Sequence, residues 1–152
     1  MKIERKNMYR KNEIIELNIT SLTSDGDGVG RAGEMVFFVP NTAVGDTIRA
    51  KVLKVKKNVG FARVEEIVTP SPDRIEADCP VSFSCGGCVY RHISYDAECR
   101  AKRQKVIDAV TRIGKLNAAL VRDIIPSKNI DGYRNKAMIP VELNRDGEAV
   151  MS

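Results

Sequence analysis

The sequence predicts a mainly β protein with one long helix, in which a small five-stranded barrel comes first. About five short segments of alternating apolar residues lie between residues 13 and 70, separated by turn residues and without helical periodicity. One of these segments is long and loses its alternation part-way, which is typical of a strand that bends around a closed barrel. A single segment of helical character follows at residues 94–114.

The glycine-rich stretch at residues 24–31 is predicted to be a turn between the first two strands. Residues 14–20 form the first predicted strand. The Gly-x-Gly-x-Gly spacing is superficially similar to a dinucleotide-binding loop, but such a loop needs a following helix that presents its N-terminal amides to phosphate. Residues 34–39 read instead as a strand ended by Pro40. We therefore interpret the glycines as a turn and a strand bend.

The remaining predicted strands form a hairpin rich in basic residues. The strand that begins near Ile48 alternates apolar and basic residues until Leu53, where the alternation slips, and this predicts a β-bulge. Residues 56–58 turn the chain into a last strand at residues 59–67. Five short strands without a helix predict a small closed, OB-like barrel of the oligonucleotide-binding type.

The hairpin carries six basic residues and no acidic one between Arg49 and Arg63. This pattern indicates either an ordinary solvated surface or an edge that contacts phosphates, since such barrels bind nucleic acid through a basic face. A formal net charge of +5 also favours a polyanionic partner. The candidate RNA-binding residues in this hairpin are Arg49, Lys51, Lys54, Lys56, Lys57 and Arg63.

Three cysteines, Cys79, Cys85 and Cys88, lie within ten residues and form the candidate metal site. Thiolates are soft ligands, and a Cys-x-x-Cys step lets two sulfurs converge on one metal centre or cluster. The alternatives are three buried cysteines that only pack, or a zinc site closed by His92 or by the fourth cysteine, Cys99. We expect His92 to be a loop or interface histidine, and Cys99 to pack on the apolar side of the helix.

The helix is predicted to begin after Ser94, a good N-cap, and to stop at Gly114. Outside its first turn the predicted helix carries several basic residues and a single acidic one, Asp108. The predicted apolar stripe consists of Tyr95, Cys99, Val106, Val110 and Ile113.

Residues 119–125 and 132–141 are predicted strands, and residues 145–147 are a hairpin turn signal. The returning strand has barely begun at Ser152, so we expect a chain cut within a second, α+β domain.

The predicted organisation has five parts. Residues 1–12 are a basic tail, 13–70 the barrel, 71–93 a linker and cysteine loop, 94–114 the helix, and 115–152 the start of a truncated central domain. No secretory signal or membrane-length apolar run is present, so a cytoplasmic location is expected, with neither a membrane nor a protein partner. Because thiols stay reduced there, the cysteines are expected to bind metal.

These motifs together resemble the N-terminal part of the bacterial RNA (uracil-C5)-methyltransferases that begin with a TRAM domain. The Pro-Asp-Arg connector followed by Cys-x5-Cys-x2-Cys is the specific part of the resemblance. The matching residues are 26–31, 36–40, 45–46, 71–74, Cys79, 85–88, the helix that contains Tyr95, and 132–136.

The resemblance implies an RNA-binding TRAM barrel, with Arg134 and Lys136 added to the RNA-binding residues, and a [4Fe–4S] cluster held by four cysteines. Cys79, Cys85 and Cys88 match the first three cluster ligands, and the fourth lies beyond Ser152. The family's nucleophilic cysteine, its general base and its S-adenosylmethionine site also lie downstream. No catalytic residue is therefore assigned here, and the chain alone is expected to be inactive.

The function implied is the RNA-binding and iron–sulfur N-terminal portion of an S-adenosylmethionine-dependent RNA (uracil-C5)-methyltransferase, with rRNA expected rather than tRNA. Two alternatives remain open from the residues. One is a stand-alone RNA-binding adaptor, against which the incomplete final hairpin argues. The other is a zinc-binding interaction module.

Overall fold

The first half of the chain is a closed five-stranded barrel, as the sequence predicts. The computed structural model describes residues 9–82, 87–133, 135–136, 138 and 141–151. Around the barrel the strand order is β1-β2-β3-β5-β4, and every neighbouring pair is antiparallel except β3 and β5, which are parallel. The strands are β1 (Ile14–Leu22), β2 (Gly28–Ala32), β3 (Met35–Val39), β4 (Thr47–Val55) and β5 (Val59–Thr69).

Strict alternation along the strands fills the barrel with apolar side chains. Leu17, Phe37 and Ile48 are among the residues that are at most 1% exposed, and each lies two positions from another buried residue of its strand. Gly60 is required beside Phe37, because a Cβ built on Gly60 would overlap the Phe37 ring. The interior is therefore packed and leaves the outer face for ligands.

The predicted bulge in the long strand is confirmed. The register between β4 and β5 shifts between Val52 and Lys54, so that Leu53 is passed over in the pairing. The glycine stretch contains a turn followed by a strand, as predicted: Gly26 has φ +89°, and β2 begins at Gly28. No helix follows it, which agrees with the rejection of a dinucleotide loop.

A buried ion pair fastens the connector after β5 to the barrel. The Asp46 carboxylate is fully buried and accepts hydrogen bonds from the amides of Ala43 (2.7 Å) and Ser71 (2.8 Å). The Arg74 guanidinium donates to both Asp46 oxygens, with a shortest distance of 2.8 Å. Burial raises the pKa of Asp46, but these hydrogen bonds and the Arg74 charge outweigh it and hold the pKa below its usual value.

His92 and the start of the helix pack against the same side of the barrel. His92 is buried, and its Nε2 lies 3.1 Å from the carbonyl oxygen of Thr42. Burial lowers the pKa of His92. Next to it, Ala43, Ile93 and Ala97 form a small buried apolar cluster. His92 is thus an interface histidine, since it contacts the barrel at Thr42 from the segment that leads into helix α1.

The predicted helix is present, but its last turn and its apolar stripe differ from expectation. Helix α1 (Tyr95–Asp108) begins after Ser94, whose side chain accepts a hydrogen bond from the amide of Ala97, and continues as a π-helical segment, Ala109–Ile113. Gly114 has φ −71°, and the left-handed residue is Lys115 at φ +54°.

Cys99 is buried, as predicted, yet the stripe is not covered along its length. Val106 is 50% exposed and Ile113 is 84% exposed. The buried residues of α1, Ala97 and Cys99, both lie in its first half, and Ala97 belongs to the small apolar cluster beside the barrel.

The strand prediction for residues 119–125 is wrong. A short 3₁₀ helix, Ala118–Leu120, occupies its beginning, with Asn117 as the cap, and residues 121–125 pair with no strand among the described residues. Exposed β-branched residues such as Ile125, which is 93% exposed, have no sheet surface to pack on.

The second strand prediction, residues 132–141, is wrong for the described residues before Val141, which form no strand. The hairpin turn at residues 145–147 is confirmed, since β6 (Val141–Leu143) and β7 (Ala149–Met151) pair antiparallel and Gly147 has φ +80°. The returning strand therefore has its partner, which corrects the expectation of an incomplete hairpin. Among the described residues, no helix is long and apolar enough to cross a membrane.

Candidate nucleic-acid interface

The basic hairpin of β4 and β5 is less uniformly positive than its sequence indicates. Arg49 lies 3.1 Å from a carboxylate oxygen of Glu66, and Arg63 lies 2.9 Å from Glu65. Both acids lie just beyond the sequence window that seemed purely basic, and the antiparallel register brings Glu66 opposite Arg49. Two of the six candidate residues are therefore partly neutralised.

The four lysines of the hairpin keep their charge available. Lys51, Lys54, Lys56 and Lys57 form no ion pair with any of the described residues, and the last three are exposed. The Lys56 ammonium lies 5.7 Å from the centre of the Phe61 ring, in a cation–π contact. Lys54, Lys56 and Lys57 thus lie near the tip of the hairpin, where a phosphate backbone can reach them, and Lys51 lies in the middle of β4 opposite Arg63.

An aromatic pair lies beside these lysines on the outer surface of the barrel. Phe38 of β3 and Phe61 of β5 are paired across the parallel strands, with ring centres 5.8 Å apart and planes inclined by 49°. Phe61 is 36% exposed and Phe38 is half-buried. On either side of the pair lie Val29 of β2 and Lys54 of β4, each paired with the adjacent phenylalanine. Sequence reasoning missed this pair because only the pairing of β3 with β5 brings the two residues together.

The aromatic pair continues into a cleft between the barrel and helix α1. The cleft has a volume of about 1050 Å³, and Phe38 forms part of its barrel wall together with Arg31 and Val36. Arg100, Lys105 and Arg112 of the helical segment line the other wall. Arg31 is exposed and forms no ion pair with the described residues. Asp73 and Asp108 also line the cleft beside the basic residues of the helical segment, so Arg31 is the basic side chain of the barrel wall that has no ion pair among the described residues.

The basic side chains of the helical segment are largely engaged in structural contacts. Lys105 donates a hydrogen bond of 2.9 Å to the carbonyl oxygen of Ser24, which joins the helix to the glycine turn. The other basic residues of this segment each face a carboxylate: Arg100 with Asp73, Lys102 with Glu98, Arg103 with Asp123 and Arg112 with Asp108.

The cysteine loop packs against the glycine turn of the barrel. Val89 and Tyr90 contact Gly26 so closely that a Cβ on this glycine would overlap Val89. Cys79 is half-buried and Cys88 is exposed, and neither forms a disulfide with a described cysteine. Cys85 lies outside the described residues, as does Arg134, while Lys136 is exposed. No three His, Cys, Asp or Glu side chains among the described residues form a group that could hold a metal ion.

The TRAM domain family matches residues 10–64, which covers β1 to β4 and the first half of β5. The five-stranded barrel is consistent with this match, so the prediction of a TRAM-like barrel is confirmed. The four hairpin lysines lie on the outer surface of the part of the chain that matches the TRAM domain.

Most of the chain is similar to bacterial proteins named as RNA methyltransferases. An uncharacterized RNA methyltransferase of Halalkalibacterium halodurans is 47% identical over 131 residues, which are 86% of this chain and 29% of that protein. One from Listeria monocytogenes is 46% identical over 134 residues, or 88% of this chain and 29% of the relative. The chain thus spans less than a third of the length of these relatives.

A solved structure extends the likeness beyond the TRAM domain. The Pyrococcus abyssi tRNA (uracil-54, C5)-methyltransferase, in complex with S-adenosyl-L-homocysteine, is 30% identical, with a TM-score of 0.50. The match covers 78% of this chain and 25% of that one. The predicted resemblance to RNA methyltransferases that contain a TRAM domain is confirmed.

Proposed function

We propose that this chain is the RNA-binding portion of an S-adenosylmethionine-dependent RNA (uracil-C5)-methyltransferase that acts on rRNA. The observation that carries the proposal is the TRAM barrel, whose hairpin presents Lys51, Lys54, Lys56 and Lys57 without carboxylate partners among the described residues. The relatives' names support RNA methylation, and the structural neighbour's name supports the C5 position of uracil. The choice of rRNA rests on the family resemblance, and because that neighbour acts on tRNA, both RNAs belong in the assay.

The chain's own residues bind and orient the RNA in this proposal. The methyl group comes from S-adenosylmethionine, and no donor site, nucleophile or general base is assigned to these 152 residues. Cys99 is not a candidate nucleophile, because it is 8% exposed and lies within helix α1. We expect the chain alone to bind RNA and to show no methyl transfer.

We further propose that Cys79, Cys85 and Cys88 hold a [4Fe–4S] cluster, with a fourth ligand from outside this sequence. The donor set fits, because the cysteine thiolates are soft ligands, and Cys79 and Cys88 carry free thiols on a loop beside Gly87. The cluster would supply a covalent cross-link that fixes the loop against the glycine turn. Zinc binding closed by Cys99 or by His92 is disfavoured, since neither lies with Cys79 and Cys88 in a group of described residues that could hold a metal ion, and His92 contacts the carbonyl of Thr42.

RNA binding is tested by the salt dependence of affinity. Replacing Lys54, Lys56 and Lys57 with Ala removes three phosphate contacts, and for single strands each contact contributes about 0.7 to the slope of log K against log salt. We expect weaker binding and a slope smaller by roughly 2. The matched control replaces the exposed residues Arg122, Lys128 and Arg145 with Ala, which removes the same charge elsewhere. Equal effects of the two triple variants would contradict a specific role for the hairpin.

The cluster is tested by anaerobic reconstitution of the full chain, followed by iron, sulfide and zinc analysis. We expect a brown, air-sensitive species that Cys85→Ser abolishes and Cys99→Ala preserves. Colourless, tightly bound zinc that is lost in Cys99→Ala would instead support an interaction module.

Methylation of RNA by a longer protein that contains this chain separates the methyltransferase from a stand-alone RNA-binding adaptor.

A further inference from the structure

We propose that Phe38 and Phe61 form a stacking platform for unpaired RNA bases, so that the barrel prefers single-stranded RNA. This inference rests on the proposed RNA binding and specifies which RNA the surface takes. Its starting point is the placement of the two rings on the outside of a barrel whose interior is already filled by other apolar residues. Two of the four phenylalanines of the chain lie at this one surface position.

The position of the rings within the sheet favours a ligand with both flat apolar and charged parts. Across the barrel surface, the row through the pair runs from Val29 to Phe38, Phe61 and Lys54. The neighbouring row contains Arg31, paired with Val36. A single-stranded nucleic acid offers both parts, because each nucleotide carries one flat base and one phosphate. Single-strand-binding barrels recognise it by stacking its bases on aromatic rings within a basic groove.

The contact between Lys56 and Phe61 fits this role. The Lys56 ammonium lies over the Phe61 ring at 5.7 Å, and its side chain is exposed. An exposed cation–π contact is weaker than stacking of a base on an aromatic ring, so a base can displace the ammonium. The displaced lysine stays beside the base and can pair with the adjoining phosphate.

The platform is continuous with the cleft, and this defines a path for the strand. Phe38 belongs both to the aromatic pair and to the barrel wall of the cleft, in which Arg31 lies exposed. A strand that crosses the tip of the hairpin near Lys57 would pass over Phe61 and Phe38 and enter the cleft. A duplex has its bases paired and stacked inside, so it can offer only phosphates to this surface.

The test uses the full chain with a single-stranded RNA of about 12 nucleotides, within the site size of such barrels, and a duplex of the same length. The strand carries a fluorescent adenine analogue whose emission is quenched by stacking. The variant Phe38→Leu/Phe61→Leu keeps apolar volume but removes both rings, and Phe61→Tyr keeps an aromatic face. The Lys54, Lys56 and Lys57 triple variant serves as the electrostatic comparison.

We expect the double leucine variant to bind the single strand at least about fivefold more weakly, to lose the quenching and to keep the parent's salt slope. Phe61→Tyr should bind like the parent. Circular dichroism checks folding, and if the double variant unfolds, Phe61→Leu alone should show the same changes to a smaller degree.

Parent-like affinity and quenching in a folded leucine variant would overturn the platform and leave salt-dependent RNA binding intact. Equal affinity of the parent for the duplex and the single strand would also overturn it. A parent that binds neither RNA would instead overturn the proposed function itself, and the platform with it.

Discussion

The ion pair between Asp46 and Arg74 should be one of the most costly single contacts to break in this chain. In Asp46→Asn, one carboxylate oxygen becomes an amide nitrogen that cannot accept a hydrogen bond. If the nitrogen takes the place of Oδ1, the Ser71 amide loses its acceptor, while Arg74 Nε keeps its bond to Oδ2. If it takes the place of Oδ2, the Ala43 amide and one N–H of Arg74 Nη2 lose theirs.

Each buried donor left without an acceptor costs about 1–3 kcal/mol, so the loss is roughly 1–3 kcal/mol for one donor and roughly 2–6 kcal/mol for two. The magnitude agrees with the loss of about 3–5 kcal/mol that is typical when one partner of a buried ion pair is removed. The Arg74 side chain is 14% exposed, so water screens the remaining charge only in part. We therefore expect Asp46→Asn to lower the free energy of unfolding by about 3–5 kcal/mol.

Urea denaturation followed by circular dichroism measures this loss. With an m-value of about 2 kcal/mol/M, the midpoint should fall by roughly 1.5–2.5 M. The matched control is Glu66→Gln, which breaks the exposed pair with Arg49 and should cost at most about 1 kcal/mol. Similar midpoints for the two variants would refute the reasoning.

The same pair predicts how stability depends on pH. Because the folded pKa of Asp46 lies below the ordinary value of 3.8 for an aspartate, the stability that its charge contributes is complete above that value and is lost as the pH falls through the folded pKa. Asp46→Asn should therefore show a shallower loss of stability with acid than the parent. If the loss of stability at acid pH is the same in the variant and the parent, the charge of the Asp46 carboxylate does not stabilise the fold.

Three further predictions concern stability. Gly60→Ala should cost about 1–3 kcal/mol, because the added methyl overlaps the Phe37 ring, and a parent-like thermal melt would contradict this packing. Ser94→Ala should cost about 1 kcal/mol through loss of the helix cap to Ala97, with Ser94→Asn as the rescuing control in the same melt. Burial lowers the folded pKa of His92, so the stability that neutral His92 contributes is present above about pH 6.5 and is lost as the pH falls towards the folded pKa. In urea titrations across this pH range, His92→Gln should remove this pH dependence of the free energy of unfolding. If the pH dependence persists in the variant, another group is responsible for it.

Local pattern was sufficient for most of the barrel. The strands, the turn at the glycines and the bulge at Leu53 each leave a signal within a few residues, since side-chain alternation has a period of two and its slip is visible in the sequence. The N-cap at Ser94 is similarly local. The strand predicted at residues 119–125 failed because apolar β-branched residues form a strand only where a partner strand is available.

The charge pattern was harder to interpret because it depends on residues that the sheet brings together. The hairpin seemed purely basic until the register placed Glu66 against Arg49. The Asp46–Arg74 pair joins two motifs that were noted separately, and neither residue alone indicates a buried partner. The Phe38–Phe61 pair also required the parallel contact of β3 with β5. The metal site stays a prediction, since Cys85 lies outside the described residues.

The parallel contact between β3 and β5 has a consequence for folding kinetics. It consists of three residue pairs, from Val36 with Val59 to Phe38 with Phe61, whereas β1–β2–β3 and β4–β5 are antiparallel units of consecutive strands. Consecutive strands pair at a small cost in loop entropy, and distant ones pair later. Two contacts join these units, and the β3–β5 contact has three residue pairs where the β1–β4 contact has five. The shorter contact should therefore be the first to open, so amide hydrogens of Val36 and Phe38 should exchange faster than those of β4. An RNA strand lying across Phe38 and Phe61 would slow that exchange, and its binding could be followed residue by residue without any label on the RNA.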